Sequence, residues 1–392
     1  MSQTQAPVED QLVTKMLNAV LSQAIARRAS DVHLEPRERH LRVRFRIDGV
    51  LVEQAPLPKA QMPGVIGRVK VLAQLDVAEK RVPQDGGFSV SNGSAGSARF
   101  RVSTLPTDYG EKVCLRLLSQ RGVHLELGRL GMTDEVIARV RACLNRINGV
   151  VLVTGPTGSG KTSTLYSMLR ILDAKSRNVV TLEDPIEIRF PDIVQTQISN
   201  KSGYTFSSGL RAVLRQDPDI VLVGEMRDRE TADIALKAGL TGHLVLSSLH
   251  TNGAIDTFMR LIDMGLERFV VASSVRAIVC QRLFRQLCPE CREEVQPDPE
   301  VSALLRIESG FPTIYREKGC ERCDGTGFRG RTAIFELVEV DDELADLVKS
   351  EKTSRSDYKE LLARRNVDSL RSAGLAHVRA GTTSLEEVLR VT

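Results

Sequence analysis

Val150-Val-Leu-Val-Thr-Gly155-Pro-Thr-Gly-Ser-Gly-Lys-Thr162 is the stretch that decides the fold. Its first four residues form an apolar, β-branched run that reads as a buried strand. The last eight fit G-x-x-x-x-G-K-[ST], and a helical segment follows over 163–172. Glycines in such a loop let backbone N–H groups turn inward around phosphate oxygens, at the positive end of a helix beginning near Lys161. Lys161 is placed to reach the β- and γ-phosphates, and the Thr162 hydroxyl to ligate Mg²⁺. The predicted nucleotide contacts are Gly155, Pro156, Thr157, Gly158, Ser159, Gly160, Lys161, Thr162 and Ser163. The expected ligands are ATP and Mg²⁺.

Further apolar runs at 179–182, 220–223 and 244–246 alternate with helical or loop sequence. That alternation predicts an α/β fold with a mostly parallel sheet covered on both faces. Two of these runs deliver acids at their carboxyl ends, where such folds place ligand chemistry. Asp219-Ile-Val-Leu-Val-Gly-Glu225 presents Glu225, which could polarise a water or hold it through the Mg²⁺ shell. Glu183-Asp-Pro-Ile-Glu187 presents Glu183, Asp184 and Glu187, candidates for metal-associated waters or for positioning the nucleophile. The pattern leaves base and metal-holder open between Glu187 and Glu225.

Working back toward the amino terminus, the style changes. Val13, Leu17, Leu21 and Ala24 recur at helical spacing within 10–28, and Leu41, Val43, Phe45 and Ile47 alternate with Arg42, Arg44 and Arg46. The second pattern is a half-buried strand whose arginines form a solvated, salt-bridging face, closed by an Asp48-Gly49 turn. More strands are expected over 86–118, with a Gly/Ser-rich hairpin tip at 91–97. With 392 residues, at least two domains are expected. The boundaries read as a leader and amphipathic helix over 1–28, an α+β domain over 29–119, a linker over 120–131, and an α/β domain over 132–392.

The charges nearly cancel at +4, Trp is absent and aromatics are few, so no nucleic-acid partner is expected. No apolar run of about 18 residues exists to span a membrane, and residues 1–10 lack the basic and apolar regions of a signal peptide. A cytoplasmic location follows. Four of seven cysteines form Cys288-Pro-Glu-Cys291 and Cys320-Glu-Arg-Cys323. Paired C-x-x-C turns in a reducing compartment predict a structural Cys₄ zinc site, in a module over 285–331. Cys114, Cys143 and Cys280 read as inert core residues.

The ordered set of motifs resembles the type II secretion and type IV pilus assembly ATPases, the GspE/PilB group. The resemblance rests on the loop at 155–162, Thr181-Leu-Glu-Asp-Pro-Ile-Glu187, Leu210-Arg-Ala-Val-Leu-Arg-Gln-Asp-Pro-Asp219 and Thr241-Gly-His-Leu-Val-Leu-Ser-Ser-Leu-His-Thr-Asn252. Ala29-Ser-Asp-Val-His-Leu-Glu35, Arg44-Phe-Arg-Ile-Asp-Gly-Val50 and the carboxyl-terminal Gly381-Thr-Thr-Ser-Leu-Glu-Glu-Val-Leu-Arg-Val-Thr392 extend it over most of the chain.

It implies a RecA-like P-loop ATPase core, a PAS-like amino-terminal domain and a Cys₄ zinc insertion. It also implies that His243 and His250 form a histidine box, with His250 a γ-phosphate sensor. Arg101 and Arg116 would be supplied to the nucleotide by the amino-terminal domain, with Arg211, Arg215 and Arg227 around the same cleft. The implied assembly is a homo-hexamer at the cytoplasmic face of the inner membrane. Platform and docking proteins would be its partners, and pilus or pseudopilus assembly its output. The cysteine pairs favour an assembly motor over a retraction motor. Relative to that group the chain reads as a short form without its first amino-terminal domain. A DNA translocase is disfavoured by the modest charge, and a non-hydrolysing scaffold by the presence of Lys161, Glu187 and Glu225.

Overall fold

The computed structural model describes residues 8–91, 97–118, 125–304 and 313–392. The tip of the hairpin expected at 91–97, most of the leader, and the first half of the expected linker therefore lie outside the described residues. The chain divides into two compact units, residues 1–123 and 124–392.

In the first unit, helix α1 (Val8–Ala26) precedes strands β1 (Asp31–Pro36), β2 (His40–Ile47), β3 (Val50–Glu53) and β4 (Leu57–Pro58). Helix α2 (Met62–Leu72) then leads to β5 (Gln84–Ser91), β6 (Ser97–Thr107) and β7 (Gly110–Leu118). The strands form an antiparallel sheet in the order β3-β2-β1-β7-β6-β5, with β4 pairing β2. Alternation sorts the two faces. Leu41, Val43 and Phe45 are fully buried with Leu17, Leu21, Val65 and Val69 of the two helices, as period-two patterning requires. On the opposite face Arg42 pairs with Glu53, Arg44 with Glu35, and Arg46 with Asp31, at 2.8, 2.7 and 3.8 Å.

The second unit begins with α3 (Leu127–Leu130) and α4 (Asp134–Leu144). Leu127, inside the stretch expected to be linker, is buried in this unit's core. The unit continues through β8 (Gly149–Thr154), α5 (Lys161–Ile171), β9 (Val179–Glu183), β10 (Val194–Gln197) and α6 (Phe206–Val213). Then come β11 (Ile220–Val223), α7 (Arg229–Leu240), β12 (Leu244–Leu249), α8 (Ala254–Asp263), α9 (Arg268–Ser274) and β13 (Val275–Leu287). The seven-stranded sheet runs β10-β9-β11-β12-β8-β13-β16, where β16 is Phe328–Glu339. All pairings are parallel except β13 with β16. Both faces are covered: α7, α8 and α9 contribute to one apolar cluster and α4 and α5 to the other. This is why β8, β11 and β12 are buried at every position.

The module between β13 and β16 holds β14 (Glu293–Val295), α10 (Pro299–Leu304) and β15 (Ile314–Arg316), the two strands pairing with each other. Four helices close the chain: α11 (Asp342–Lys349), α12 (Arg355–Arg364), α13 (Leu370–Arg379) and α14 (Leu385–Val391).

Candidate functional site

The phosphate-binding motif lies where a parallel sheet presents ligands, in the turn between β8 and α5. Gly155 has φ 152° and Gly160 φ 89°. A Cβ on Gly155 would stand 2.4 Å from the Gln281 carbonyl, and one on Gly160 2.9 Å from the Gln281 amide nitrogen, so both positions need glycine. A Cβ on Gly158 would meet nothing within 4 Å, which leaves that side of the loop open to a ligand. The Ser159 hydroxyl is buried without a hydrogen-bond partner. The cradle thus holds unmet donor capacity and an open mouth, features that fit an entering phosphate.

Lys161 is buried and folds back onto its own loop, donating to the carbonyls of Gly155 (2.8 Å) and Pro156 (3.1 Å). Burial lowers its pKa to about 8 against the opposing pull of Glu225. Its Nζ lies 3.4 Å from His250 Nδ1, and His250 Nε2 lies 3.5 Å from Glu225 Oε2. Glu225 also pairs with Arg227 at 2.6 Å. Burial and the nearby Lys161 lower the His250 pKa, so the imidazole is neutral at neutral pH. Lys161, His250, Glu225 and Arg227, from three separate segments, therefore form one continuous polar chain beside the loop. Thr162 and Ser163 occupy the first turn of α5. Asp184 is exposed at the end of β9 and acts on Arg227 electrostatically. Glu187 is also exposed, and its backbone N–H donates to the Tyr166 hydroxyl of α5 at 3.1 Å.

One expected contact, His243, stands away from the loop, and another, Glu183, lies in a buried network. His243 precedes β12, whose first residue Leu244 pairs with Gly149 and whose last, Leu249, pairs with Thr154 at the loop. Six strand residues at about 3.3 Å each put His243 roughly 20 Å from the phosphate end of the sheet. There its Nδ1 lies 3.1 Å from the Ala238 carbonyl, at the end of α7. Glu183 is buried, and its carboxylate accepts from Thr181 (2.5 Å), from Gln195 (3.0 Å) and from the Tyr166 hydroxyl. Those donors hold it internally: it braces Tyr166, and through Tyr166 the Glu187 backbone.

Arg211 is exposed on α6 and pairs with Glu230 at 3.0 Å, while Arg215 donates to the Arg211 carbonyl at 2.8 Å. Neither touches the Lys161 chain. Arg101 and Arg116 are directly opposite each other on β6 and β7 of the first unit, where Arg116 also pairs with Asp31 at 2.9 Å.

Two residues near the loop had not been singled out from the sequence. Gln281 and Arg282 sit inside β13, and an amide beside a guanidinium, both buried after the apolar run 277–280, is the signal that marks them.

The four module cysteines converge, with all sulfurs within 4.8 Å of one another. Cys288–Cys320, Cys291–Cys323 and Cys320–Cys323 are 3.9, 3.8 and 3.7 Å apart. Metal–sulfur bonds of about 2.3 Å in a tetrahedron put sulfurs about 3.8 Å apart, so this set can hold a metal ion. Burial opposes ionisation of Cys323, but N–H groups of Cys320 and Gly327 bring its pKa down to about 7. Of the remaining cysteines, Cys143 and Cys280 are buried, whereas Cys114 is only half-buried on the polar face of the first sheet. That position corrects its expected place in the core.

The sequence profile of the family described as "Type II/IV secretion system protein" matches residues 6–390. The chain belongs to that family. The family member named type II secretion system ATPase E, from Vibrio cholerae, is 48% identical over 385 residues, 98% of this chain and 76% of that one. The type IV pilus assembly ATPase PilB of Myxococcus xanthus is 44% identical over 97% of this chain and 68% of its own length. Among solved structures, the pilus retraction motor PilT with bound ADP is 27% identical, with a TM-score of 0.63 and 96% of both chains covered. The Legionella pneumophila ATPase DotB shares the fold at a TM-score of 0.71 and 21% identity, covering 96% of this chain and 95% of that one. This member of the secretion family is an ATPase of the secretion and pilus motors. No helix among its described residues is long and apolar enough to cross a membrane.

Proposed function

We propose that this ATPase powers the assembly of a pseudopilus for type II secretion or the extension of a type IV pilus, working as a homo-hexamer. The observation that carries this reading is the Lys161–His250–Glu225–Arg227 chain at the mouth of the phosphate loop. In that reading Lys161 releases its two loop carbonyls and turns to the β- and γ-phosphates. Neutral His250, between Lys161 and Glu225, senses whether the γ-phosphate is present. Thr162 and Glu225 are the residues that would hold Mg²⁺, directly and through water, and the ion would supply charge neutralisation for the leaving phosphate.

Glu187 is the better general base. Glu187 is exposed to solvent water on a backbone held by Tyr166, and Glu225 stands beside His250 and Lys161 at the loop, where Mg²⁺ would sit. A general base contributes about 10²–10⁴ in rate. Glu187→Gln should lower kcat by that factor while ATP binding is retained, and Glu225→Gln should raise the Mg²⁺ concentration needed for half-maximal turnover. The reverse pattern would exchange the two roles.

Arg101 and Arg116 are proposed to meet the nucleotide from the first unit, which would tie hydrolysis to motion of that unit. Arg211 and Arg215 are proposed to line the same cleft. Cys288, Cys291, Cys320 and Cys323 are proposed to bind zinc. The partners would be inner-membrane platform and docking proteins, met peripherally at the cytoplasmic face.

A further inference from the structure

Successive side chains of a strand point to opposite faces, and β13 places Gln281 and Arg282 in succession just past its last pair with β8, Cys280 with Thr154. Gln281 is buried on the α5 side. Its amide donates to the Ser159 carbonyl at 2.7 Å, and its own carbonyl oxygen accepts from the Thr164 hydroxyl at 2.7 Å. It therefore grips the phosphate loop before the lysine and the helix after it. Its main-chain oxygen also faces Gly155, where a Cβ could not fit.

Arg282 is buried and points the other way. Its guanidinium donates to the Asn252 main-chain oxygen at 2.8 Å, the Asn252 side-chain oxygen at 3.2 Å and the Val391 carbonyl at 3.1 Å. It also donates to the Gln281 carbonyl at 3.0 Å. Asn252 lies two residues beyond His250.

We propose that Gln281 and Arg282 are a pair of positioning residues that hold the two halves of the ATP site in register. Gln281 fixes the Lys161 loop, and Arg282 fixes the His250 loop and ties it to the carboxyl-terminal helix. The inference rests on the roles proposed above for Lys161 and His250. The division of labour follows from the contacts. The Gln281 side chain bonds to the binding loop and its helix, so its loss should weaken nucleotide binding. Arg282 touches the sensor loop, so its loss should slow turnover of nucleotide that is already bound.

The test uses the full chain carrying Gln281→Met, which keeps volume but removes both hydrogen bonds, and Arg282→Lys, which keeps charge but removes the fork. Nucleotide Kd (fluorescent ADP), kcat and Tm are measured for each, with Lys161→Ala alongside. Gln281→Met should raise Kd about tenfold with kcat within about threefold, the scale of one or two lost hydrogen bonds. Arg282→Lys should lower kcat about tenfold with Kd within about twofold.

Asn252→Ala, at an exposed position, should lower kcat by a smaller factor at unchanged Kd. It serves as the reporter if Arg282→Lys does not fold. The proposal is overturned if the variants shift Kd and kcat by the same factor, or lower Tm while leaving both constants unchanged. Turnover that persists in Lys161→Ala would instead sink the underlying site assignment.

Discussion

At Lys161, burial disfavours the ammonium, Glu225 restores part of it, and Arg282 takes some away, leaving a pKa of about 8 in the nucleotide-free protein. Bound phosphates favour the charged form. Below pH 8 the free protein already carries the proton and affinity should be flat. Above it, binding must take up a proton, and affinity should fall by up to about tenfold per pH unit. ATP-analogue binding between pH 7 and 9.5 checks this, and Lys161→Arg should flatten the profile because the guanidinium does not titrate there. A wild-type profile flat through pH 9.5 would count against a phosphate role for Lys161. The two histidines separate the same way: His250→Ala should lower kcat at least about tenfold, and His243→Ala, at the far end of the sheet, should change it less than about twofold in steady-state turnover. Sequence offered both histidines within one motif. Their separation follows only from β12 lying between them, because a strand delivers its two ends to opposite edges of the sheet.

Among elements, legibility followed burial. Strands β8, β9, β11 and β12 are covered on both faces and read directly as apolar runs, and β2 read as alternation because only one face is covered. Strand β13 was not legible as a strand with a role. Its thirteen residues interleave Arg276, Gln281, Arg282, Arg285 and Gln286 with apolar side chains, since its polar groups serve the loops above and the helices beside it. The same strand ends at Leu287, one residue before Cys288, and β16 begins soon after Cys323, so the cysteine cluster closes the long β13–β16 pair. Metal binding of this kind is coupled to about 10–16 kcal/mol of local folding. Purified protein should contain one zinc per chain by elemental analysis, and Cys320→Ser should lose it. Hydrogen exchange should then rise across the module and the adjoining ends of β13 and β16. A metal-free wild type with a fully protected module would contradict this.

For the whole molecule, the ordered motifs from residue 29 to the carboxyl terminus carried the family, the α/β class and the acid-bearing strand ends. What they could not carry was competition among acids. Glu183, Asp184 and Glu187 look equivalent in sequence, yet Tyr166 and Thr181 capture the first and leave the other two exposed. The central claim is that the Lys161 site turns over ATP as part of a ring motor. The most direct test is ATP turnover per chain against protein concentration, with mass in solution recorded alongside, for wild type and Lys161→Ala. Turnover per chain should rise as the hexamer forms and vanish in Lys161→Ala. Turnover that is independent of assembly, or that survives in the variant, would contradict it.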